Sequence, residues 1–567
     1  MSYARPERDD GYKWVALSNT TLGMLAAAIN SSILLISLPA VFRGIGLKAL
    51  DPGNVNYLLW AIIGYMIATA VLVVAFGRLG DQFGRARMYN LGFAIFTAAS
   101  VALSLLPGQG DFAAVYLISV RMIQGVGGAL LMANSTAILT DAFPAHQRGL
   151  ALGINVVAAI GGQFIGLLIG GLLADTNWRL VFWINVPFGL LGTVWAYWKL
   201  RDSPTRVTHK IDWAGNVTFA LGLVLILSAI TYGIQPYGDQ VMAWTSPFVL
   251  SLFALGLLSL AAFVVVERRA VRPMLDFQLF RIAPFACGNI ANMSSAVARG
   301  GLQFMLIIWL QGIWLPLHGY SFEETPLWSA IFMLPLTAGF LLAGPIAGYY
   351  SDKIGGMPFA VGGMVLGALS FVLLMVLPAD FSYGAFAALL FANGFGSGLF
   401  VAPNSTQIMN SVPPQERGQA SGIRATTTNA GQVLSIGLFF SLMLAGLAAT
   451  LPQSMEAGLL AEHVPPVVAH QVASTPPVSS LFAAFLGYNP MGELIPAEVL
   501  HDLAPANAAA LTGKTFFPGL MSAPFKHGLV FAFSFSALLY LVAAFASWRG
   551  GMRTVAVTVA RPVLGAD

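Results

Sequence analysis

The chain has 567 residues, of which 57% are apolar and only 9% charged, with a mean hydropathy of +0.76. A soluble domain carries roughly 25% charged residues, so a core wrapped in a water-facing surface is excluded. The net charge of +4 is no nucleic-acid footprint, because the basic residues sit in short stretches between apolar runs. The single cysteine, Cys287, lies inside such a run and forms no intramolecular disulfide.

A spanning helix needs about 20 mostly apolar residues, since the hydrocarbon layer is ~30 Å thick and a helix rises ~1.5 Å per residue. In chain order fourteen segments qualify: 15–42, 57–77, 88–108, 113–139, 150–173, 181–200, 213–234, 246–267, 286–314, 327–350, 358–378, 385–412, 421–451 and 529–550. Arg5, Arg8 and Lys13 lead into a first run too long for a signal-peptide core, so that run is expected to act as its own signal anchor. With the N-terminus cytoplasmic, most lysines and arginines fall on the cytoplasmic side. Only Arg43, Lys48, Arg179, Lys514 and Lys526 fall outside, which satisfies the positive-inside rule. An all-α integral membrane protein with both termini cytoplasmic is expected, in the plasma membrane, bacterial inner membrane being the natural setting.

The sequence also repeats itself. GRLGDQFGRAR from Gly77 is echoed by GYYSDKIGGMP from Gly348, so that Gly77, Asp81 and Gly84 match Gly348, Asp352 and Gly355. Asn134-Ser135-Thr136 recurs as Asn404-Ser405-Thr406, Arg148-Gly149 as Arg417-Gly418, and Gly162-Gln163 as Gly431-Gln432. The predicted organisation is a cytoplasmic N-terminus (1–14), a six-helix half (15–200), two inserted spans (213–267), a second six-helix half (286–550) with an external loop at 452–528, and a cytoplasmic tail (551–567). Parallel repeats of this kind support rocking of one half against the other around a midplane site.

These residues resemble the major facilitator superfamily. Gly77–Arg87 is similar to its signature loop between the second and third helices, and Arg121, Gln124, Gly125 and Gly127 to its fourth-helix RxxQGxG motif. Gly162, Gly166, Gly170 and Gly171 resemble the fifth-helix antiporter motif, a helix-packing face. The two extra spans point to the fourteen-helix drug:proton antiporter branch (EmrB/QacA type). Two departures stand out: Asn30 occupies the position of that branch's usual first-helix acid, and Leu167 that of a fifth-helix proline. The resemblance implies a gating latch at Gly77, Asp81, Gly84, Gly348, Asp352 and Gly355.

Arg85 and Asp141 are both present in the first half, whereas Gly356 and Asn410 or Ser411 stand at their places in the second. That joint loss predicts an Arg85–Asp141 pair. Within the spans the ionisable residues are Arg121, Arg299 and Arg424. Each costs ~2.5 kcal/mol or more at the bilayer centre, so each is expected to face a cavity or a polar partner. With Asn30, Gln124, Gln163, Asn289 and Gln303 they are read as a net-positive substrate cavity, favouring anionic, zwitterionic or neutral amphiphiles. Any proton-coupling acid is then peripheral: Asp81, Asp141, Asp175 or Asp352.

Segment 452–528 alternates proline-rich and apolar stretches, notably Leu481–Leu486, and Glu493–Leu511 reads as a weak amphipathic helix. It is expected to rest on the membrane, cover the outer exit or meet an envelope partner. Its histidines, His463, His470, His501 and His527, lack metal spacing. No nucleotide-binding loop or catalytic triad is present, so no cofactor, metal or enzymatic reaction is expected. The leading reading is a secondary active exporter of amphiphilic molecules by alternating access. The alternatives are a lipid or glycolipid exporter of the same fold and, from another class, a non-transporting membrane sensor or scaffold.

Overall fold

Hydrocarbon offers the backbone no hydrogen-bond partner, so a chain this apolar must satisfy its amides within each segment, and helices do so. The computed structural model describes residues 11–47, 54–144, 147–202, 213–238, 240, 242–270, 277–413 and 416–559. Fourteen helices among them are long and apolar enough to cross a bilayer, and each expected span lies on one. The first six are α1 Tyr12–Gly44, α2 Asn54–Phe83, α3 Arg85–Ser104, α4 Gly110–Ala142, α5 Arg148–Thr176 and α6 Leu180–Lys199. Then come α7 Trp213–Gly233 and α8 Pro247–Arg269. The last six are α9 Ala283–Leu317, α10 Thr325–Ser351, α11 Met357–Val376, α12 Tyr383–Asn410, α13 Arg417–Ala461 and α14 Phe516–Val559. No strand forms among the described residues, only an isolated bridge between Tyr237 and Gln240. Residues 1–10, Lys48 and 560–567 lie outside the described residues, as do the side chains of Asp175 and Asp352.

The packing repeats with the sequence. In the first six helices α1 lies against α5, α2 against α4, and α3 against α4 and α6; the same pairs recur as α9–α13, α10–α12, α11–α12 and α11–α14. Close crossings depend on missing side chains. A Cβ on Gly125 would stand 2.7 Å from the Tyr65 carbonyl oxygen, and one on Gly127 would stand 2.9 Å from that of Gly92. The two sets of six meet where α5 packs on α10 and α2 on α13, and α7, paired with α8, lies alongside α2 and α13.

The segment between α13 and α14 departs from expectation in two ways. α13 has 45 residues and α14 has 44, about 66 Å each, twice the hydrocarbon thickness. The connection between the two helices therefore falls within 462–515, because both helices run on into the stretch expected as loop 452–528. Glu493–Leu511 is not one helix but Met491–Leu494, Ala497–Asp502 and Pro505–Thr512. Pro496 and Pro505, which lack amide protons, start new turns there.

Candidate functional site

A cavity of about 270 Å³ lies between the two sets of six helices. It is lined from one side by α1, α2, α4 and α5 and from the other by α9, α10, α12 and α13. Lining side chains toward the α2–α3 and α10–α11 loops, including Met24, Val156, Asn292, Arg424 and Asn429, are only half-buried. From Phe304 to Pro316 every residue of α9 is buried. The cavity is thus open toward the Gly/Asp loops and closed toward 462–515. At the closed end Gln311, in a π-helical turn Leu310–Trp314, donates from Nε2 to Ile36 O of α1 (3.3 Å) and Ser329 Oγ of α10 (3.2 Å). Gly171 of α5 sits against Pro326 and Leu327 of α10.

The two walls differ in chemistry. Arg299, Arg424, Gln303, Asn292, Asn429 and Gln432 all project from α9 and α13, whereas the first-half wall is uncharged: Met24, Leu35, Met66 and Ile160 beside the hydroxyls of Ser31, Ser32, Tyr65 and Thr69, with Gln163 its one amide. Arg299 lies over the Phe340 ring, 6.0 Å from its centroid. Among the described residues no carboxylate lines the cavity.

Four of the expected cavity residues do not line it. Asn30 is fully buried on the far face of α1, where its Oδ1 accepts from Asn185 Nδ2 of α6 (3.2 Å). Arg121 is screened by the Tyr65 ring, 4.5 Å from the guanidinium; Nη1 donates to Gln124 Oε1 (2.8 Å) and Asn30 O (3.5 Å). Gln124 donates onward to Ser100 Oγ of α3 (2.8 Å). These three form a buried polar chain inside the first half, on faces of α1 and α4 turned away from the cavity. Asn289 faces α13, donating to Phe285 O (3.0 Å) and accepting from Thr427 (3.4 Å). Its neighbour Asn292 takes the cavity position, donating to Arg424 O (3.1 Å) and Thr428 Oγ1 (2.8 Å). The signal was legible: residues 292, 299 and 303 share one helical face, from which 289 is turned by about 60°.

At the loops Arg85 bridges two carboxylates, Nη2 to Asp81 Oδ1 and Nη1 to Asp141 Oδ2, both at 2.7 Å. Gly84 takes φ +109° and Gly355 φ +88°, conformations that L side chains avoid. Gly80 leaves no space for a side chain beside Asn134, while a Cβ on Gly77 or Gly348 would meet nothing within 4 Å. Asp202, which sequence reasoning missed, accepts from Ala86 N (2.9 Å) at the start of α3 and pairs with Arg87 Nε (3.1 Å). A carboxylate there offsets the positive helix end. Gly162, Gly166 and Gly170 step along α1 at Leu25, Ile29 and Ile33, with would-be Cβ positions 2.9, 2.5 and 2.7 Å from those carbonyl oxygens.

Fourteen helices long and apolar enough to cross a membrane, arranged around a central cavity, define the class as a multi-pass membrane protein. Residues 20–436 match the Major Facilitator Superfamily, and the chain belongs to it. It is 27% identical over 448 residues to the multidrug resistance protein Stp of Mycobacterium tuberculosis, covering 78% of each chain. It is 28% identical to the riboflavin transporter RibZ of Clostridioides difficile, covering 76% of this chain and 88% of that one. Among solved structures, a bacterial homolog of the human lysosomal transporter Spinster in an inward-facing, unoccupied conformation superposes with a TM-score of 0.53 at 15% identity, covering 95% and 98%. Membership of that superfamily makes the protein a transporter, as these relatives are named to be.

Proposed function

We propose that this protein is a secondary active exporter that moves amphiphilic molecules by alternating access, and that its cargo is anionic or zwitterionic. The two-walled cavity carries this reading: a first-half wall without charged groups faces a wall bearing Arg299 and Arg424. Two guanidinium groups in a low-dielectric cavity without a carboxylate among its described lining attract negative charge and repel cations. An apolar body on the opposite wall completes the match to an amphiphile. Relatives named for multidrug resistance and for riboflavin transport support small organic cargo. The open side, which carries the positive-inside loops, is the cytoplasmic side in this reading, so the structure represents an inward-facing state. Coupling then rests on a peripheral acid or on the cargo's own charge, because arginine stays protonated below pH ~12.

The test is uptake into proteoliposomes with an imposed pH gradient, comparing anionic 1-anilinonaphthalene-8-sulfonate with cationic ethidium. Preferred transport of the anion is expected. Preferred transport of ethidium, unaffected by Arg299→Gln, would overturn the charge argument.

A further inference from the structure

The helix Pro477–Leu486 has ten residues, about 15 Å of rise, and cannot cross a bilayer. It is nevertheless buried at every position except Ser479. It is wedged at the closed end, against α1 and α2 of the first half and α9, α13 and α14 of the second. Its aromatic contacts are with the second half. Phe482 stacks on Phe440 of α13 at 5.0 Å, and Phe485 meets Phe304 of α9 edge-on at 6.2 Å. Gly312, in the π-helical turn, lies under it so closely that a Cβ would stand 2.6 Å from the Ala484 carbonyl oxygen. The first half holds it differently: Arg43, at the end of α1, donates from Nη1 to Leu486 O at 3.1 Å. Phe304 also lines the cavity, so its contact with Phe485 places this helix one side chain beyond the cavity at the closed end.

We propose that Pro477–Leu486 is the outer gate, that it travels with the second half, and that the seam that opens is its contact with α1 at Arg43. This rests on the alternating-access reading above. If the halves separate at the closed end, a wedge that touches both must release one of them. Both ends of its chain run into second-half helices, and so do its stacked rings. The first half offers a side-chain bond that can be exchanged for water. The same movement parts Gln311 of α9 from Ile36 O of α1, a second polar contact at this end. Pro476 before the helix and Pro477 at its first position, with Gly487 at φ +68° after it, delimit it as a unit.

The experiment uses the full-length protein in proteoliposomes with Cys287→Ser, which removes the single native cysteine. Arg43→Cys with Leu486→Cys places thiols across the seam, and Phe440→Cys with Phe482→Cys places them within the second half. Each pair is joined by a reducible bis-methanethiosulfonate. Joining the seam pair is expected to lower uptake of 1-anilinonaphthalene-8-sulfonate about tenfold or more, with recovery on reduction, because an opening step is blocked. The 440–482 pair should transport equally well joined or reduced. Undiminished uptake by the joined seam pair overturns the gate, and loss with both pairs overturns its travel with the second half. If the reduced proteins move no probe, the transport reading is what has failed, and spin labels on the same pairs judge the gate. A second, longer 43–486 distance absent from the 440–482 pair supports it; one short 43–486 distance under both directions of pH gradient overturns it.

Discussion

In the first half Gln124 donates to Ser100 across α3 and α4 at 2.8 Å; in the second, Asn393 donates to Ser370 across α11 and α12 at 2.8 Å. Gly125 lies under the Tyr65 carbonyl and Gly394 under that of Leu336; Gly162 approaches Leu25 of α1 and Gly431 approaches Met293 of α9. The backbone frame is thus kept twice. The charges are not. The Arg85 cluster with Asp81 and Asp141 belongs to the first half, where the second has Gly356 against Pro403. Arg299 and Arg424 belong to the second, at positions that correspond to the first half's Ser31 and Asn155. Close helix crossings admit only small residues, so they resist change in both copies. Cavity and loop positions lack that constraint, and there the copies have divided their roles: ion pairs on one, cargo-facing polarity and the outer helix on the other.

The largest effect expected from breaking this asymmetry is at the cavity. Arg299→Gln and Arg424→Gln should each weaken binding of an anionic amphiphile about tenfold or more, since a hydrogen bond to a charged group contributes about 1.5–3 kcal/mol. Met66→Leu on the first-half wall should leave it unchanged. Fluorescence titration of purified protein with 1-anilinonaphthalene-8-sulfonate measures both, and equal losses at the two walls would erase the distinction.

Helix packing comes next. Ser435 stands in α13 where α5 has Gly166, whose Cβ would lie 2.5 Å from Ile29 O. Gly166→Ser should therefore destabilise the detergent-solubilised protein by about 1–3 kcal/mol, as overpacking does. Ser435→Gly should cost well under that. Thermal melting of both decides it, and a silent Gly166→Ser would show that the α1–α5 contact is loose.

The loop cluster should be worth less in stability, because Asp141 and Asp81 are 40% and 42% exposed. A double-mutant cycle on Arg85→Ala and Asp141→Ala should show coupling of about 0.5–1 kcal/mol. Lys353→Ala, at the second loop, should be neutral in the same melt. Asp81→Asn should slow transport severalfold while membrane insertion stays normal; full activity would deny the first loop its proposed gating role.

Asn30→Asp should have the smallest effect on cargo choice. The side chain faces α6, not the cavity, while the residue's backbone carbonyl accepts from Arg121. A carboxylate there should pair with that guanidinium, raise thermal stability slightly and add a pH dependence to uptake. A marked switch to ethidium would mean that residue 30 reaches the cavity during the cycle.

The class of protein, the fourteen spans and the duplicated glycine loops were legible in the chain alone. Bilayer thickness and the ban on unpaired backbone amides write themselves as runs of set length, and a shared ancestry of halves writes itself as matched spacing. The partner of Arg85 was legible for a related reason: the second half shows what the loop looks like without it. Which polar residues meet the cavity was decided by tertiary structure. Helix rotation, set by glycine contacts along α1, α4 and α5, turned Asn30, Arg121 and Gln124 inward to one another and left Arg299 and Arg424 facing open space. Asp202 reaches Ala86 from 116 residues away, and Pro477–Leu486 is a gate candidate only because two extended helices carry it back between the halves. Such contacts depend on three-dimensional proximity, which hydropathy and spacing along one helix do not encode.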